Sequence, residues 1–376
     1  MTTVRDVAGW LEDAYPPALA ESWDRVGLDC GDPDAPVSTV GFAVDPTDAV
    51  VAEAVARGAQ LLVTHHPLLL RGLHAVRRDE PKGRLVMALL AGGVAHFCAH
   101  TNADAAAGGV NDALAAALGL TETRPLTALP EDPLRTLVTY VPEPDADALL
   151  DALAAAGAGR LGRYDRCSFT HPGQGRFRPL PGANPHLGSV GEVERVDERR
   201  VEVVLPPGAT GRVVAALLAA HPYETPAFHV LDHAPLDSAR GSGRVGVLPE
   251  PVPAAELARR LAAALPATAG GVRLGGDPGR SVRKVAVLGG AGDSFLEAAR
   301  RAGVDAYVTG DLRHHPASEL LAWPDAPVLL DVPHAAAEAL WLPAAEAVVA
   351  ARAAATGASL ATYVSSIDTD PWTARY

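Results

Sequence analysis

Two adjacent histidines, His65 and His66, stand at the end of the hydrophobic run LLVTHHPLLL (61–70). Imidazole nitrogens bind Zn, Fe, Ni and Cu, so a histidine pair in this position indicates a candidate metal site. On an extended segment, consecutive side chains point to opposite sides of the backbone. The pair would therefore serve two metal ions more easily than one.

A second candidate pair lies near the other end of the sequence. The segment DVPHAAAEAL (331–340) places His334 and Glu338 four residues apart. On a helix that spacing puts both side chains on one face, within reach of a single cation. A carboxylate from AHTNAD (99–104) would complete a set of nitrogen and oxygen ligands that is large enough for a two-metal centre.

Each histidine also has a purely structural interpretation. A lone buried histidine such as His96 is more often a hydrogen-bonded core residue than a ligand, and His65 and His66 taken alone are explained equally well by either role. The helical pair and the nearby carboxylate favour metal binding. His315 is a candidate general acid or base beside the metals, although a helix cap or a subunit contact would also explain it. Asp311 is a candidate, by position, to orient a ligating imidazole, and so is Asp331.

Alternating strands and helices position these residues. Both ends of the chain show this alternation, which indicates largely parallel sheets covered on both faces. The predicted strands are residues 37–44, 61–64 and 94–99 near the N-terminus, and residues 282–290, 304–310 and 327–332 near the C-terminus, where a long helix over 333–352 follows.

The two ends of the chain also resemble each other. The segment EAVARGAQLLVTHHP (53–67) is similar to EAARRAGVDAYVTGD (297–311). A weak internal duplication would give two similar α/β lobes that present polar strand ends to one cleft, where open α/β sheets bind their ligands. Chance similarity between two β-α-β units explains the same pattern.

The middle of the sequence has a different pattern. Strand-like segments at 134–142 and 198–206 are each followed by a helical segment, and a Gly/Pro-rich stretch with little periodicity covers 171–188. This order predicts a small ferredoxin-like α+β insert with an antiparallel sheet. The predicted domains are an N-terminal α/β lobe (1–130), the insert (131–235), and a C-terminal α/β lobe (236–376) that completes the metal site.

Composition limits the possible functions. The 376 residues carry a formal net charge of −13, whereas a nucleic-acid binder needs a basic footprint, so nucleic acid is an unlikely partner. The three cysteines are far apart and form no CxxC motif, which argues against a thiolate zinc finger and fits a cytoplasmic protein. The sequence contains no stretch of about 18 apolar residues free of charge, so no membrane span is predicted.

Several separated motifs resemble one known family. VTHHP (63–67), HTNAD (100–104), VTGD with a following His (308–315) and HAAAE (334–338) resemble the GTP cyclohydrolase 1 type 2 homologue family, also called the NIF-three-like dinuclear metal-centre family. ESWDRVGLDCGD (21–32) is similar to the N-terminal signature of that family. The insert resembles the P-II-like domain of its longer members through GRYDRCSF (162–169), GRFRPLPGANP (175–185) and HPYETPAF (221–228).

The resemblance implies a ligand set and an assembly. It implies two divalent metal ions, with Zn, Fe, Mn and Ni all acceptable to such ligands, and a toroidal homohexamer. One ion would lie between His66 and Asp104, and the other between His65 and His334. Glu338 would bridge the two ions.

Two functions compete at this stage. The first is a metal-dependent hydrolase, GTP cyclohydrolase-like, that acts on a nucleotide-like or phosphoester small molecule. The second is a non-catalytic regulatory or metal-handling protein whose insert senses a ligand. A cluster of arginines in the insert indicates either a solvated basic face or a site for phosphate or another subunit; these residues are Arg160, Arg163, Arg166, Arg176 and Arg178.

Overall fold

The structure, a computed structural model, describes residues 1–130, 133–234 and 236–376. It has a mixed α/β architecture with several sheets, as the alternation of strands and helices predicts. The chain separates into two compact units. One contains Met1–Leu129 and Ala239–Tyr376, and the other contains Pro130–Ser238.

The helices and strands are numbered along the chain. The helices are α1 (Val4–Ala14), α2 (Asp48–Ala56), α3 (Pro81–Gly92), α4 (Thr101–Ala105), α5 (Val110–Ala117), α6 (Ala146–Ala155), α7 (Thr210–Ala220), α8 (Ala254–Ala264), α9 (Leu296–Arg301), α10 (His314–Leu321), α11 (His334–Ala339) and α12 (Leu342–Thr356). The strands are β1 (Gly27–Cys30), β2 (Thr39–Ala43), β3 (Leu61–Thr64), β4 (Ala95–Cys98), β5 (Thr121–Arg124), β6 (Thr127–Pro130), β7 (Arg135–Pro142), β8 (Ser168–Phe177), β9 (Glu194–Leu205), β10 (Phe228–Asp232), β11 (Asp237–Ser242), β12 (Arg244–Pro253), β13 (Arg273–Gly275), β14 (Ser281–Ala291), β15 (Ala306–Gly310), β16 (Val328–Val332) and β17 (Ala361–Val364). Short 3₁₀ helices cover Pro17–Leu19, Glu143–Asp145, Pro207–Ala209 and Asp293–Phe295.

The first unit contains two large sheets. One has five strands in the order β1-β4-β3-β2-β17, and the other has six in the order β13-β16-β15-β14-β12-β5. The strands that precede the candidate ligands are parallel: β3 pairs with β2 and β4, and β16 pairs with β15. Their buried hydrophobic runs are typical of strands covered on both faces.

Each of these sheets takes one strand from a distant part of the chain. Strand β17 pairs with β2, so a segment near the C-terminus completes the N-terminal sheet. Strand β5 pairs with β12 at the edge of the other sheet. The two sheets consequently belong to one compact unit, and the division of this unit into two similar lobes stays a prediction.

The expected single helix over 333–352 is wrong. The chain forms α11, makes a turn at Leu340 and Trp341, where the N–H of Trp341 donates to the carbonyl of Glu338 at 3.0 Å, and then forms α12. Pro343 explains the break, because proline has no N–H and its ring clashes inside a helix, whereas it is tolerated in the first turn. The buried indole of Trp341, which lies at this break, has its ring 5.3 Å from that of Tyr15 and 5.6 Å from that of His65.

The second unit is an antiparallel sheet with two helices. Its elements follow one another as β7-α6-β8-β9-α7-β10, the order of a ferredoxin-like unit, and its strands lie in the order β10-β7-β9-β8. The expectation of irregular chain is wrong for residues 171–177, which belong to β8. Strand β8 is an edge strand, where Pro172 can lie without interrupting a ladder on both sides. The likeness to P-II proteins stays a prediction.

Two further observations concern membrane-spanning helices and the cysteines. Within the part of the chain that the structure describes, no helix combines the length and the apolar character needed to cross a membrane. The three cysteines, Cys30, Cys98 and Cys167, are free thiols. Burial raises the pKa of the Cys98 thiol well above its usual value, so this side chain behaves as a small core residue.

Trp341→Ala tests whether this indole holds the core next to the candidate site. Trp341 is fully buried, and removing a buried aromatic side chain costs about 3–5 kcal/mol. We expect a decrease of that size in the free energy of unfolding, measured by denaturant titration. Trp323→Ala is the matched control, because Trp323 is 54% exposed and lies over Arg300, a contact worth about 0.5–1 kcal/mol. Equal losses in the two variants would contradict this role of Trp341.

Candidate metal centre

The candidate ligands lie where strands of the two sheets end. His65 and His66 directly follow β3, and α4, which carries Asp104, follows β4. Helix α11 begins at His334, two residues after β16 ends, and brings Glu338 one turn further along the same face. This is the position at which open α/β sheets bind ligands.

Backbone hydrogen bonds hold the histidine pair in a bend directly beyond the end of β3. The N–H of His65 donates to the carbonyl of Ala43 at 3.2 Å, and that of His66 donates to the carbonyl of Val44 at 2.9 Å. The hydroxyl of Thr64 donates to the carbonyl of His66 at 2.6 Å. Both imidazoles are therefore attached to backbone that the sheet fixes in place.

Three histidine rings are oriented in the same way, each with Nδ1 against an acceptor oxygen. A carbonyl or carboxylate oxygen can only accept, so each Nδ1 carries the hydrogen and each Nε2 of the neutral ring is left with a lone pair. The partners are the carbonyl of Ala99 for His65 (2.9 Å), Oδ1 of Asp45 for His66 (2.7 Å) and Oδ2 of Asp311 for His334 (2.7 Å).

The three Nε2 atoms converge on the buried carboxylate of Glu338. Oε1 of Glu338 lies 2.9 Å from Nε2 of His334 and 3.4 Å from Nε2 of His65. Oε2 lies 3.1 Å from Nε2 of His66. Acceptors that face one another at these distances repel unless a cation lies among them, which can be a proton or a metal ion.

Asp104 adds a second carboxylate. Its Oδ1 lies 3.7 Å from Nε2 of His65, and burial raises the pKa of this carboxyl group to about 6. Three buried atoms of the cluster make no hydrogen bond with any described residue: Nε2 of His65, Oδ1 of Asp104 and Oε2 of Glu338. Buried polar atoms are normally paired, so these side chains fit a bound divalent cation.

The electrostatics of the cluster favour positive charge. Burial lowers the pKa values of the histidines, but the Glu338 carboxylate outweighs it and raises the pKa of His66 to about 10 and that of His334 to about 9. Burial raises the pKa of the Glu338 carboxyl. The nearby imidazoles of His65, His66 and His334 outweigh burial and hold this pKa well below its usual range. A divalent metal would supply the same positive charge and would compete with protons for these nitrogens.

The contacts group the five expected ligands differently from the resemblance. The resemblance places His66 with Asp104 and His65 with His334. In the structure, His65 is the histidine beside Asp104, and Nε2 of His66 lies 3.2 Å from Nε2 of His334. Oxygen atoms of Glu338 lie within 3.4 Å of Nε2 of both His65 and His66, so the division of the ligands between two ions stays a prediction.

The sequence analysis missed one histidine at this site. The possible ligand atoms of His65, His66 and His100 all lie within 4.8 Å of one another, as do those of His66, His334 and Glu338. His100 is the first residue of HTNAD, and its Nδ1 bonds with Oδ1 of Asp24 at 2.9 Å. The motif HTNAD therefore contains this signal, but the sequence-based ligand set includes only its aspartate.

Asp24 gives the N-terminal signature ESWD a physical role. Its Oδ2 accepts from the backbone N–H and from the hydroxyl of Thr101, in addition to the contact of Oδ1 with His100. Burial raises the pKa of the Asp24 carboxyl, but the hydrogen bonds with His100 and Thr101 outweigh burial and leave this pKa far below its usual value. Asp24 is therefore an anion that fixes the start of α4.

The structure also places the three other residues that the sequence analysis selects, Asp311, Asp331 and His315. Asp311 bonds with His334, as expected from its position, and its backbone has a φ of +55°, a left-handed conformation that Asp tolerates better than most residues. Asp331 instead accepts from the N–H of Leu312 and pairs with Arg273. His315 is exposed in the first turn of α10 and contacts none of the candidate ligands in the described structure, so its catalytic role stays a prediction without geometric support.

Sequence comparison identifies the family. The family described as Duf34/NIF3 (NGG1p interacting factor 3) matches residues 2–371. The chain belongs to the Duf34/NIF3 family. It is 50% identical over 368 residues to the Mycobacterium tuberculosis protein named "GTP cyclohydrolase 1 type 2 homolog", covering 98% of this chain and 96% of that protein. A Bacillus subtilis protein of the same name is 40% identical over 311 residues, with 83% of each chain covered.

Solved structures of Duf34/NIF3 relatives have the same fold. A Bacillus cereus protein "related to NIF3" superposes with a TM-score of 0.80 at 32% sequence identity and covers 99% of both chains. A Staphylococcus aureus protein superposes with a TM-score of 0.86 at 25% identity, covering 99% of this chain and 98% of that one. The whole of the described chain, including the second unit, thus has counterparts in known structures.

In this Duf34/NIF3 protein a cavity of about 600 Å³ opens beside the cluster. Its lining includes His66 and His334, together with Arg273, Trp372 and Arg375. Its volume is within the range of about 300–1,000 Å³ that is typical of sites for small molecules. Two candidate ligands are consequently accessible to a molecule of that size.

Glu338→Gln tests the role of the central carboxylate. The substitution keeps the shape of the side chain but removes the negative charge on which the three imidazoles converge. We expect the divalent metal bound after dialysis, measured by plasma mass spectrometry, to fall at least tenfold. His74→Ala, which removes an exposed histidine, is the control and should leave the metal content unchanged. A Glu338→Gln protein with its full metal content would refute the assignment.

Asp311→Asn tests the orientation of His334. The amide side chain can offer its N–H to Nδ1 and so no longer selects the tautomer with a free Nε2. Loss of such an orienting partner typically weakens metal binding by about 10–100-fold, and we expect that change in a competition titration with a fluorescent chelator. Asp325→Asn, on the surface beside Arg300, should not alter the affinity. Equal affinities in the two variants would show that Asp311 does not orient a ligand.

Proposed function

We propose that this protein is a dinuclear metal-binding hydrolase that acts on a nucleotide-like or phosphoester substrate. Two divalent ions, of Zn, Fe, Mn or Ni, would be held by the histidines and carboxylates of the cluster, with Glu338 between them. The observation that carries the proposal is the convergence of three imidazole lone pairs on a buried carboxylate. The residues that would hold the ions are His65, His66, Asp104, His334 and Glu338.

The chemistry follows from the ligand set. A pair of divalent ions polarises substrate oxygens and lowers the pKa of water toward ~7. The protein supplies fixed imidazoles, since Asp45 and Asp311 hold the rings of His66 and His334. Five donor side chains shared between two ions leave positions for other oxygen atoms, as catalytic sites require and closed structural sites do not.

The cavity walls favour a substrate with an anionic group and a flat ring. Arg273 is paired with Asp331, whereas Arg375 takes part in no ion pair within the described part of the chain. A guanidinium group binds phosphate through paired N–H donors, and the indole of Trp372 offers a face for ring stacking. The hydroxyl of Thr369 donates to Oδ2 of Asp45 at 2.5 Å, so the segment that carries Trp372 and Arg375 is tied to the carboxylate that orients His66.

The decisive experiment combines metal analysis with a turnover screen. Protein purified without chelator should contain about two divalent ions per chain, and a panel of phosphomonoesters, phosphodiesters and nucleotides should include at least one that it hydrolyses. GTP belongs in the panel, with formate as the measured product, because curated relatives carry the name "GTP cyclohydrolase 1 type 2 homolog". Activity should disappear in Glu338→Gln and persist in His74→Ala. Equal turnover in these two variants would refute catalysis at the cluster.

Arg375→Ala tests substrate recognition by the cavity. If this guanidinium binds the anionic group in the ground state and the transition state alike, its loss raises KM and leaves kcat unchanged. We expect an increase in KM of about tenfold, the effect of losing one charge-assisted contact. Arg283→Ala, which removes another exposed arginine, should not change KM. Unaltered kinetics in Arg375→Ala would place the anionic group elsewhere.

A second function has support of its own. The alternative is a non-catalytic regulatory or metal-handling protein, and the observation that favours it is a separate cavity of about 930 Å³ within the second unit. Metal-loaded protein that hydrolyses nothing in the panel, yet binds a small molecule in that cavity, would favour regulation. Turnover that depends on Glu338 would favour the hydrolase.

The remaining proposals concern assembly and location. We carry over the homohexamer from the resemblance, and light scattering should then give six times the mass of one chain. A monomer or dimer at micromolar concentration would refute it. A cytoplasmic location and the lack of a nucleic-acid partner remain predictions from the scattered cysteines and the net charge of −13.

A further inference from the structure

The sheet of the second unit has two chemically different faces. Alternate residues of β7 and β9, including Leu137, Val201 and Val203, pack against α6 and α7 in a hydrophobic core. The intervening residues point to the opposite face. That second face carries polar and aromatic side chains: Tyr140 on β7, His171 and Phe177 on β8, and Glu198 and Arg200 on β9.

Two segments cover part of this second face. Residues 178–186 and 223–227 lie over it, and the backbone N–H of Asn184 donates to Oε2 of Glu224 at 3.1 Å, which joins one segment to the other. The cavity of about 930 Å³ lies between these segments and the sheet. A two-layer α/β unit does not need such a cover for its stability, because its hydrophobic core is on the other face.

Aromatic rings form one wall of the cavity. The ring of Tyr223 lies 5.7 Å from that of Phe177 in an edge-on arrangement and 6.5 Å from that of His186. A turn positions Tyr223, because its N–H donates to Nδ1 of His221 at 3.0 Å while Nε2 of His221 donates to the carbonyl of Tyr140 at 2.9 Å. The rings therefore form a prearranged surface for a flat molecule.

A carboxylate on the sheet side of the cavity is fixed in place. The hydroxyl of Tyr223 donates to Oε1 of Glu198 at 2.7 Å, and burial together with Glu198 raises the pKa of this phenol, which stays protonated. A Cβ at Gly175 would clash with the carboxylate of Glu198. Glycine at that position leaves space for the second carboxylate oxygen, whose remaining lone pairs can accept from a ligand.

The charge around the cavity is positive although the protein is acidic. Three arginines and two glutamates line it, a balance of +1 in a chain of net charge −13. Arg200 bonds with Glu202, but Arg178 takes part in no ion pair among the described residues. An unpaired guanidinium group at the edge of an aromatic cavity attracts an anionic group.

We propose that this cavity binds a small molecule that joins a flat heterocyclic ring to an anionic group, of the chemical class of a nucleoside monophosphate. The ring lies against Tyr223 and Phe177, a donor on its edge bonds with Glu198, and the anionic group binds Arg178. The volume of about 930 Å³ is large enough for such a ligand. This site is separate from the metal cluster and does not depend on hydrolysis there.

Calorimetric titration of the full chain with GMP, AMP and inorganic phosphate tests the proposal. GMP has two adjacent N–H donors for Glu198, so we expect saturable binding of GMP, weaker binding of AMP, and binding of phosphate at least tenfold weaker than that of GMP. Arg178→Ala and Tyr223→Ala should each weaken GMP binding about tenfold or more. Arg212→Ala, on the helical side of the same unit, should leave it unchanged.

Arg375→Ala separates this site from the cavity beside the metal cluster. Unchanged affinity for GMP in Arg375→Ala, with weakened affinity in Arg178→Ala, supports the site in the second unit. The opposite pattern, or no saturable binding of GMP and AMP up to about 1 mM, overturns it. Arg178 is exposed, so its removal tests binding without disturbing the core, even if Tyr223→Ala fails to fold. Loss of hydrolysis would leave this result unaffected.

Discussion

The candidate site depends on a group of hydrogen-bond acceptors that face one another without a donor. Nδ1 of each of three histidines is occupied by an oxygen acceptor, so the three Nε2 lone pairs point at the carboxylate of Glu338. Such an arrangement is stable only with positive charge in its centre. Several elements of the first unit position these residues. Parallel strands end beside them, and α11 carries His334 and Glu338. Asp45 and Asp311 bond with the rings of His66 and His334.

Much of the site could be predicted because its signals are local. The pair His65-His66 ends a hydrophobic run, and the spacing of His334 and Glu338 is meaningful on any helix. Asp104 is the only carboxylate of AHTNAD and follows a predicted strand. His100 was missed although it stands in the same motif, and its partner Asp24 lies 76 residues earlier at no distinctive spacing. Hydrophobic periodicity does not predict a contact between two residues so far apart in the sequence.

The fold was predictable to a similar degree. Buried runs such as LLVT at β3 and VLLDV at β16 identified the central strands, since strands covered on both faces are continuously apolar. Strands β5, β8 and β17 were not identified, because each is at a sheet edge where pairing with a distant strand, rather than its own residues, decides its conformation. Pro343 does carry a local signal, and the break between α11 and α12 was predictable from it.

The pairing of β17 with β2 constrains how the protein is made. Ala361 lies beside Thr39, so the sheet that contains β2 lacks an edge strand until residues 361–364 have left the ribosome. At roughly 5–20 residues per second, the delay between the two strands amounts to tens of seconds. His65 and His66 emerge early in this interval, whereas His334 and Glu338 emerge near its end. A nascent chain thus exposes an incomplete set of imidazoles, and any metal ion bound by the full set would have to enter late, after most of the chain has been made.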